Sequence, residues 1–265
     1  MMQHPYFLAL IVILGIGIAS WLLSVQRNNV SFVDSLWSLF FLVAAGVFAL
    51  SLETLSLRGS LVLTLVTIWS LRLSLHITVR NWGKPEDYRY QTIRANNEPG
   101  FAFKSLYIVF GLQGVLAWLV AMPLLPAITA EVPLAPLDFV AALLWITGFV
   151  FEAGGDYQLA RFKARDDSKG RVLDTGLWRY TRHPNYFGDF CIWWSFYLFA
   201  VASGGWWSIA SPLLMSVLLL KISGVAMLEN TITDRRPAYA EYIRNTNAFF
   251  PGPSGSRASV EEAKS

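Results

Sequence analysis

The chain has 265 residues, of which 54% are hydrophobic and only 15% charged, against roughly 25% charged in an ordinary soluble domain. Eleven tryptophans, eighteen phenylalanines and a mean hydropathy of +0.44 exclude a disordered chain, and a lone cysteine, Cys191, excludes a disulfide framework. The formal charge of +3 is small; with one Cys and three scattered His no metal site is expected, and no nucleic-acid partner.

A helix needs about 20 mostly apolar residues to cross a bilayer. Seven stretches qualify, at residues 6–25, 32–52, 60–79, 102–122, 136–155, 184–203 and 206–228. The first begins just after His4 with no basic leader, so it reads as an anchor rather than a signal peptide. The fourth and fifth are joined by a proline-rich connection, and the sixth and seventh only by Ser203-Gly204-Gly205, which predicts a tight hairpin. Residues 1–252 thus read as one all-α, seven-helix membrane domain, and 253–265 as a disordered polar tail. On this count 18 of the 21 Lys and Arg fall on one side: Arg27, five in 80–104, seven in 156–182 and five near the C-terminus. Only Arg58 falls on the other side, while Arg72 and Lys221 lie within spans. The positive-inside rule then puts the N-terminus outside and the C-terminus in the cytoplasm.

Ionisable groups inside spans are costly and mark function by default. Arg72, His76 and Arg80 recur every four residues, on one helical face extended by Trp69. Asp34 opens the second span, Glu152 and Asp156 close the fifth, Asp189 lies early in the sixth and Glu229 ends the seventh. Together they predict a polar cavity open to the cytoplasm. Each also has a plainer reading. Arg80 snorkels to the interface, Asp34 caps its own helix, His76 is a neutral bundle residue, and Lys221 pairs with Glu229.

The most informative stretch runs from Asp156 to Asp189. It holds seven basic residues, a Gly176-Leu177-Trp178 turn, and a helix predicted to start at Pro184, where proline suits the first turn. A helix N-terminus facing a basic loop suits phosphate. Asp189 there suits a ribose hydroxyl or a carboxamide, so the pattern suggests a nucleotide with both phosphate and neutral polar parts. The competing reading is a basic interfacial loop held to anionic lipid. Neither a Gly-x-Gly-x-x-Gly fingerprint nor a P-loop is present.

This stretch resembles the C-terminal domain of the steroid 5-alpha-reductase family, in particular its uncharacterised bacterial branch. The resemblance rests on Asp156-Tyr157, Arg171, Gly176-Leu177-Trp178, Arg182-His183-Pro184-Asn185-Tyr186-Phe187-Gly188-Asp189, and the closing Tyr239, Tyr242 and Phe249-Phe250-Pro251. Upstream, Trp69-Ser70-Leu71-Arg72-Leu73, His76, Arg80 and Glu86-Asp87-Tyr88-Arg89-Tyr90 extend it to about residues 60–251. It implies a seven-helix fold of the bacterial cytoplasmic membrane that holds NADPH in a cytoplasm-facing cavity. It implies reduction of a conjugated carbon–carbon double bond in a lipophilic, steroid- or isoprenoid-like substrate. The cofactor positions it implies are Arg80, Asp156, Lys163, Arg171, His183, Asn185, Tyr186, Asp189 and Glu229. The family's tyrosine electrophile falls on Ile77, which has no proton to donate. The expected donor is therefore His76, supported by Arg72 and Asp34, with Tyr88 and Tyr90 as further candidates if their loop folds back. Two other readings compete: an S-adenosylmethionine-dependent methyltransferase of the isoprenylcysteine or phospholipid type, in which His-Pro and Glu229 would serve, and a non-enzymatic lipid-binding protein.

Overall fold

The computed structural model describes residues 3–222 and 239–253. All regular structure among them is helical. Five helices are long and apolar enough to cross a membrane: α1 (Gln3–Arg27), α2 (Val33–Leu50), α3 (Leu57–Asn81), α5 (Phe101–Val120) and α7 (Pro136–Lys163). Between them lie the short helices α4 (Tyr88–Asn97) and α6 (Leu124–Thr129). Then come α8 (Pro184–Ala202), the shorter apolar α9 (Trp206–Ile222) and α10 (Tyr239–Asn245). The helix predicted at Pro184 starts there. The end of the seventh expected span, with Glu229, and the tail beyond residue 253 lie outside the described residues. The chain forms two compact units, residues 1–139 with 196–211, and residues 140–195 with 212–265.

In the first unit α2 and α3 bury Phe40, Phe41, Phe48, Val62, Val66 and Trp69 completely. Ser38 donates to the Ser70 carbonyl at 3.0 Å, closing the α2–α3 seam. Trp69, which extends the Arg72–His76 stripe, packs on Phe41 with ring centres 5.6 Å apart and belongs to the core. α1 lies close on α5, because a β-carbon on Gly114 would stand only 3.3 Å from Ile13 and Leu14. Tyr6 and Trp118 seal the same pair, each side chain donating to the other's carbonyl at 2.9 Å.

The proline-rich connection is more than a linker. Pro123 precedes α6 and Pro126 sits in its first turn, where a missing N–H costs nothing. Leu124 through Ile128 are all buried. Two glycines make the room: β-carbons on Gly59 and Gly205 would fall 2.5 Å from the Ile128 carbonyl oxygen and 2.4 Å from Pro126 Cγ. The expected hairpin closes at Gly204, whose φ of +80° suits glycine, and Gly205 N donates to the Ala200 carbonyl at 2.7 Å.

Arg58, the lone basic residue on its side of the charge count, is 1% exposed. Its Nε and Nη2 grip both oxygens of Asp138 at 2.7 Å, and its remaining N–H groups reach the carbonyls of Val132 and Pro133. Its charge is thus neutralised inside the protein. Arg58→Ala strands a buried carboxylate and is expected to destabilise by about 3–5 kcal/mol, while Arg58→Met with Asp138→Leu recovers most of the loss. Unfolding in detergent checks this; a double variant as unstable as the single one would contradict it.

In the second unit α7 and α8 cross where both present glycine. A β-carbon on Gly188 would lie 2.4 Å from the Gly148 carbonyl oxygen and from Glu152 N, and one on Gly148 would lie 2.6 Å from the Gly188 carbonyl oxygen. Small residues permit such close approach of helices in a membrane protein. One end of the crossing is fixed by Ser195, which donates to the Ala141 carbonyl at 2.8 Å. The crossing carries Glu152 and Asp156 on α7 beside Asn185 and Asp189 on α8.

Candidate functional site

The residues expected to act fall into two groups, one in each unit. In the second unit Glu152, Asp156 and Asp189 are buried at 3%, 8% and 9% exposure. Asn185 Nδ2 donates to Asp156 Oδ1 at 3.1 Å, joining the start of α8 to α7. A β-carbon on Gly155 would crowd Pro184 and the Asn185 nitrogen, so the approach depends on glycine there as well. His183 is buried, takes the N-terminal position ahead of Pro184, and stacks its ring on Tyr186 at 5.6 Å. The Gly176-Leu177-Trp178 turn is pinned to α7: Trp178 Nε1 donates to the Gly155 carbonyl at 3.0 Å and Gln158 Oε1 accepts from Leu177 N at 3.0 Å.

The seven basic residues of this segment divide by burial. Lys163 and Arg171 are exposed, and Arg171 meets Asp167 at 2.5 Å in a surface pair that is easily exchanged. Arg182 is different. It is 6% exposed and its Nη1 donates to the carbonyls of Ile243 and Thr246 at 3.1 and 2.5 Å. Its own N–H donates to the Asn247 carbonyl, Thr181 donates to the Phe249 carbonyl, and Tyr242 to the Trp178 carbonyl. Arg182 therefore fastens the C-terminal segment around the loop. The sequence signal for this was the closing Tyr239, Tyr242 and Phe249-Phe250-Pro251, whose two phenylalanines also pack on Phe187 and Phe190 of α8.

In the first unit the loop after α3 does fold back. Asp87 accepts from Arg89 N to cap α4, and its own N–H donates to the Ser31 hydroxyl at 2.7 Å. Tyr90 is thereby buried, and its hydroxyl donates to Asp34 Oδ1 at 2.5 Å. Arg89 bridges two carboxylates, reaching Asp34 Oδ2 at 2.6 Å and Asp87 Oδ1 at 2.9 Å. Gln113 of α5 donates to the Tyr90 oxygen at 2.9 Å. Glu86 accepts from Val30 N and both arms of Arg94, and Arg94 lies 4.4 Å over the Phe101 ring. Asp34 thus takes its hydrogen bonds from α4. Arg72 and His76 are half-buried on one face of α3, while Arg80 is exposed and donates to Asn81 at 3.2 Å. Gln113 carried no sequence signal and Arg89 only a place in the resemblance, because their partners are 23 and 55 residues away.

Burial raises the proton affinity of the Tyr90 phenol, and the neighbouring Asp34 carboxylate raises it further. Burial also pushes Glu86 and Asp87 upward, but hydrogen bonds from Arg94 and Arg89 outweigh it and hold both below the usual carboxylate range. Carboxylates depressed in the folded state stabilise above their unfolded pKa of about 4, and that stability is lost as pH falls through their folded values. The melting temperature is expected to hold steady down to about pH 5 and to fall on further acidification. The acid limb should be shallower for Glu86→Gln with Asp87→Asn. Identical limbs would contradict these ion pairs.

Fold and site together define a polytopic helical membrane protein with buried acids within its helices. The chain belongs to DUF1295, a family of proteins of unknown function, whose model matches residues 20–246. An uncharacterised protein of the fission yeast Schizosaccharomyces pombe is 30% identical over 295 aligned positions, covering 96% of this chain and 81% of the yeast protein. No solved structure matches.

Proposed function

We propose that this chain is an integral membrane reductase that uses NADPH to saturate a carbon–carbon double bond conjugated to a carbonyl in a lipophilic substrate. The observation that carries the reading is the buried Tyr90 hydroxyl hydrogen-bonded to Asp34. The resemblance to the steroid 5-alpha-reductase family calls for a phenol, and Ile77 leaves it missing from the third span. Tyr90 of α4 would supply it, with Asp34 beside it. Seven spans, a cytoplasmic C-terminus, a cytoplasm-facing site in a bacterial membrane, and the bacterial branch of that family complete the reading. The charge asymmetry, with Arg58 neutralised internally, supports the topology.

The donor set fits NADPH. Lys163 and Arg171 are exposed cations able to meet phosphates, with Arg171 exchanging Asp167 for the ligand. The buried Asp156, Asn185 and Asp189 suit ribose hydroxyls and a carboxamide. His183 and Tyr186 shape the same helix start; Arg80, exposed on α3 of the first unit, is a further cofactor position that the resemblance implies. S-adenosylmethionine carries no phosphate and gives these cations no task. NADPH held there would supply the hydride that adds to the β-carbon. Tyr90 would turn its single O–H from Asp34 to the carbonyl oxygen, where negative charge develops, while Arg89 keeps the Asp34 carboxylate paired. The phenol's proton passes to the enolate and is replaced from water.

NADPH is expected to raise the melting temperature of the detergent-solubilised protein, and Arg171→Ala to weaken that binding about ten- to a hundredfold. Stabilisation by S-adenosylmethionine, with no response to NADPH, would replace the reductase with the methyltransferase. For the chemistry, Tyr90→Phe is expected to lower turnover about 10²- to 10⁴-fold on an active enone while keeping NADPH affinity. His76→Phe, made in parallel, tests the α3 donor. If it is the more damaging change, the proton comes from His76, with Arg72 beside it.

A further inference from the structure

α5 is not a uniform α-helix. Leu106–Gly111 forms a π turn between two α-helical stretches. Such turns are rare, and gather at functional sites. The extra residue turns everything after it by about 100° relative to a regular helix. Glycine at position 111 accommodates the turn, since a β-carbon there would stand 3.1 Å from the Leu106 carbonyl oxygen. Two contacts result, both on Tyr90. Val109 and Phe110, inside the turn, join Val30, Val33 and Phe101 in the cluster that buries the Tyr90 ring. Gln113, just after it, reaches the Tyr90 oxygen at 2.9 Å.

The hydrogen-bond inventory fixes the direction of that contact. Tyr90 has one proton, and the Asp34 carboxylate, held by Arg89, can only accept. If Gln113 presented its oxygen, two acceptors would compete for one proton. Its N–H is therefore the group that faces Tyr90. The charged and titratable groups around the phenol are Asp34 from α2 and Arg89 from α4. Asp87, which shares Arg89, lies beyond them.

We propose that Gln113 is a positioning residue. Delivered by the π turn of α5, its amide N–H holds the Tyr90 oxygen and stabilises the negative charge left there when the phenol gives up its proton. Burial and the Asp34 carboxylate both resist that charge, so a fixed donor opposite them makes Tyr90 a stronger acid. The role deepens the reductase reading and rests on it.

The network itself is testable without cofactor or substrate. Tyrosines are replaced by a difluorinated analogue whose phenol titrates in an accessible range. The Tyr90 fluorine resonance is identified by its loss in Tyr90→Phe. Gln113→Leu removes the donor and keeps the bulk, and is expected to raise the Tyr90 midpoint by about one to two pH units, a ten- to hundredfold change in acidity. Gln113→Glu, nearly the same shape but unable to donate when ionised, is expected to raise it at least as far, and serves if the leucine variant does not fold. Turnover should fall about tenfold or more in either variant with the NADPH-induced melting shift unchanged. An unmoved midpoint overturns the proposal. So does a raised midpoint with full turnover. A wild-type protein that ignores NADPH fails the reductase reading instead, and is seen before any variant is made.

Discussion

A charged side chain carried by an apolar helix must find its partner within the protein, because lipid offers none. That constraint organises much of this chain. Arg58 answers it by closing on Asp138 and two carbonyls, which ties the start of α3 to the start of α7. Asp34 answers it by drawing α4 over the beginning of α2, through Arg89 and Tyr90. Asp156 answers it across the α7–α8 crossing through Asn185. The first pair is complete and structural. The other two hold the hydroxyl, amide and carboxylate groups to which the proposed reduction assigns its roles.

Glycine is the second organising element, because it sets how closely helices approach. Gly148, Gly155 and Gly188 let α7 and α8 meet so tightly that any side chain at these positions would strike backbone or ring atoms. The reward is a row of acids and an amide held at fixed spacing by rigid helices rather than by loops. Lys163 and Arg171, by contrast, lie on exposed chain, where a surface partner such as the Asp167 of Arg171 is readily exchanged.

Much of this was legible in the sequence, and the rest was hidden for physical reasons. The five long apolar helices, the start at Pro184 and the hairpin at Ser203-Gly204-Gly205 follow from apolar length and from local rules for proline and glycine. α6 was not legible, because a proline-rich run reads as a linker unless one knows that Gly59 and Gly205 leave space for it. Tyr90 was named only conditionally: whether its loop returned to Asp34 depended on Arg89, Asp87 and Ser31 meeting across the fold. Arg182 sits in the sequence among cations read as phosphate partners, and only the C-terminal carbonyls reveal it as a fastener. Gln113 was invisible, since a π turn leaves no mark in a run of apolar residues.

The polar groups of this membrane protein are proposed to serve a phosphate-bearing nicotinamide cofactor. The most direct measurement is to purify the full chain gently in detergent, release small molecules by denaturation and identify the bound nucleotide by mass spectrometry. The account predicts NADP(H) in amounts approaching the protein's own. S-adenosylmethionine or its demethylated product in that place would contradict it.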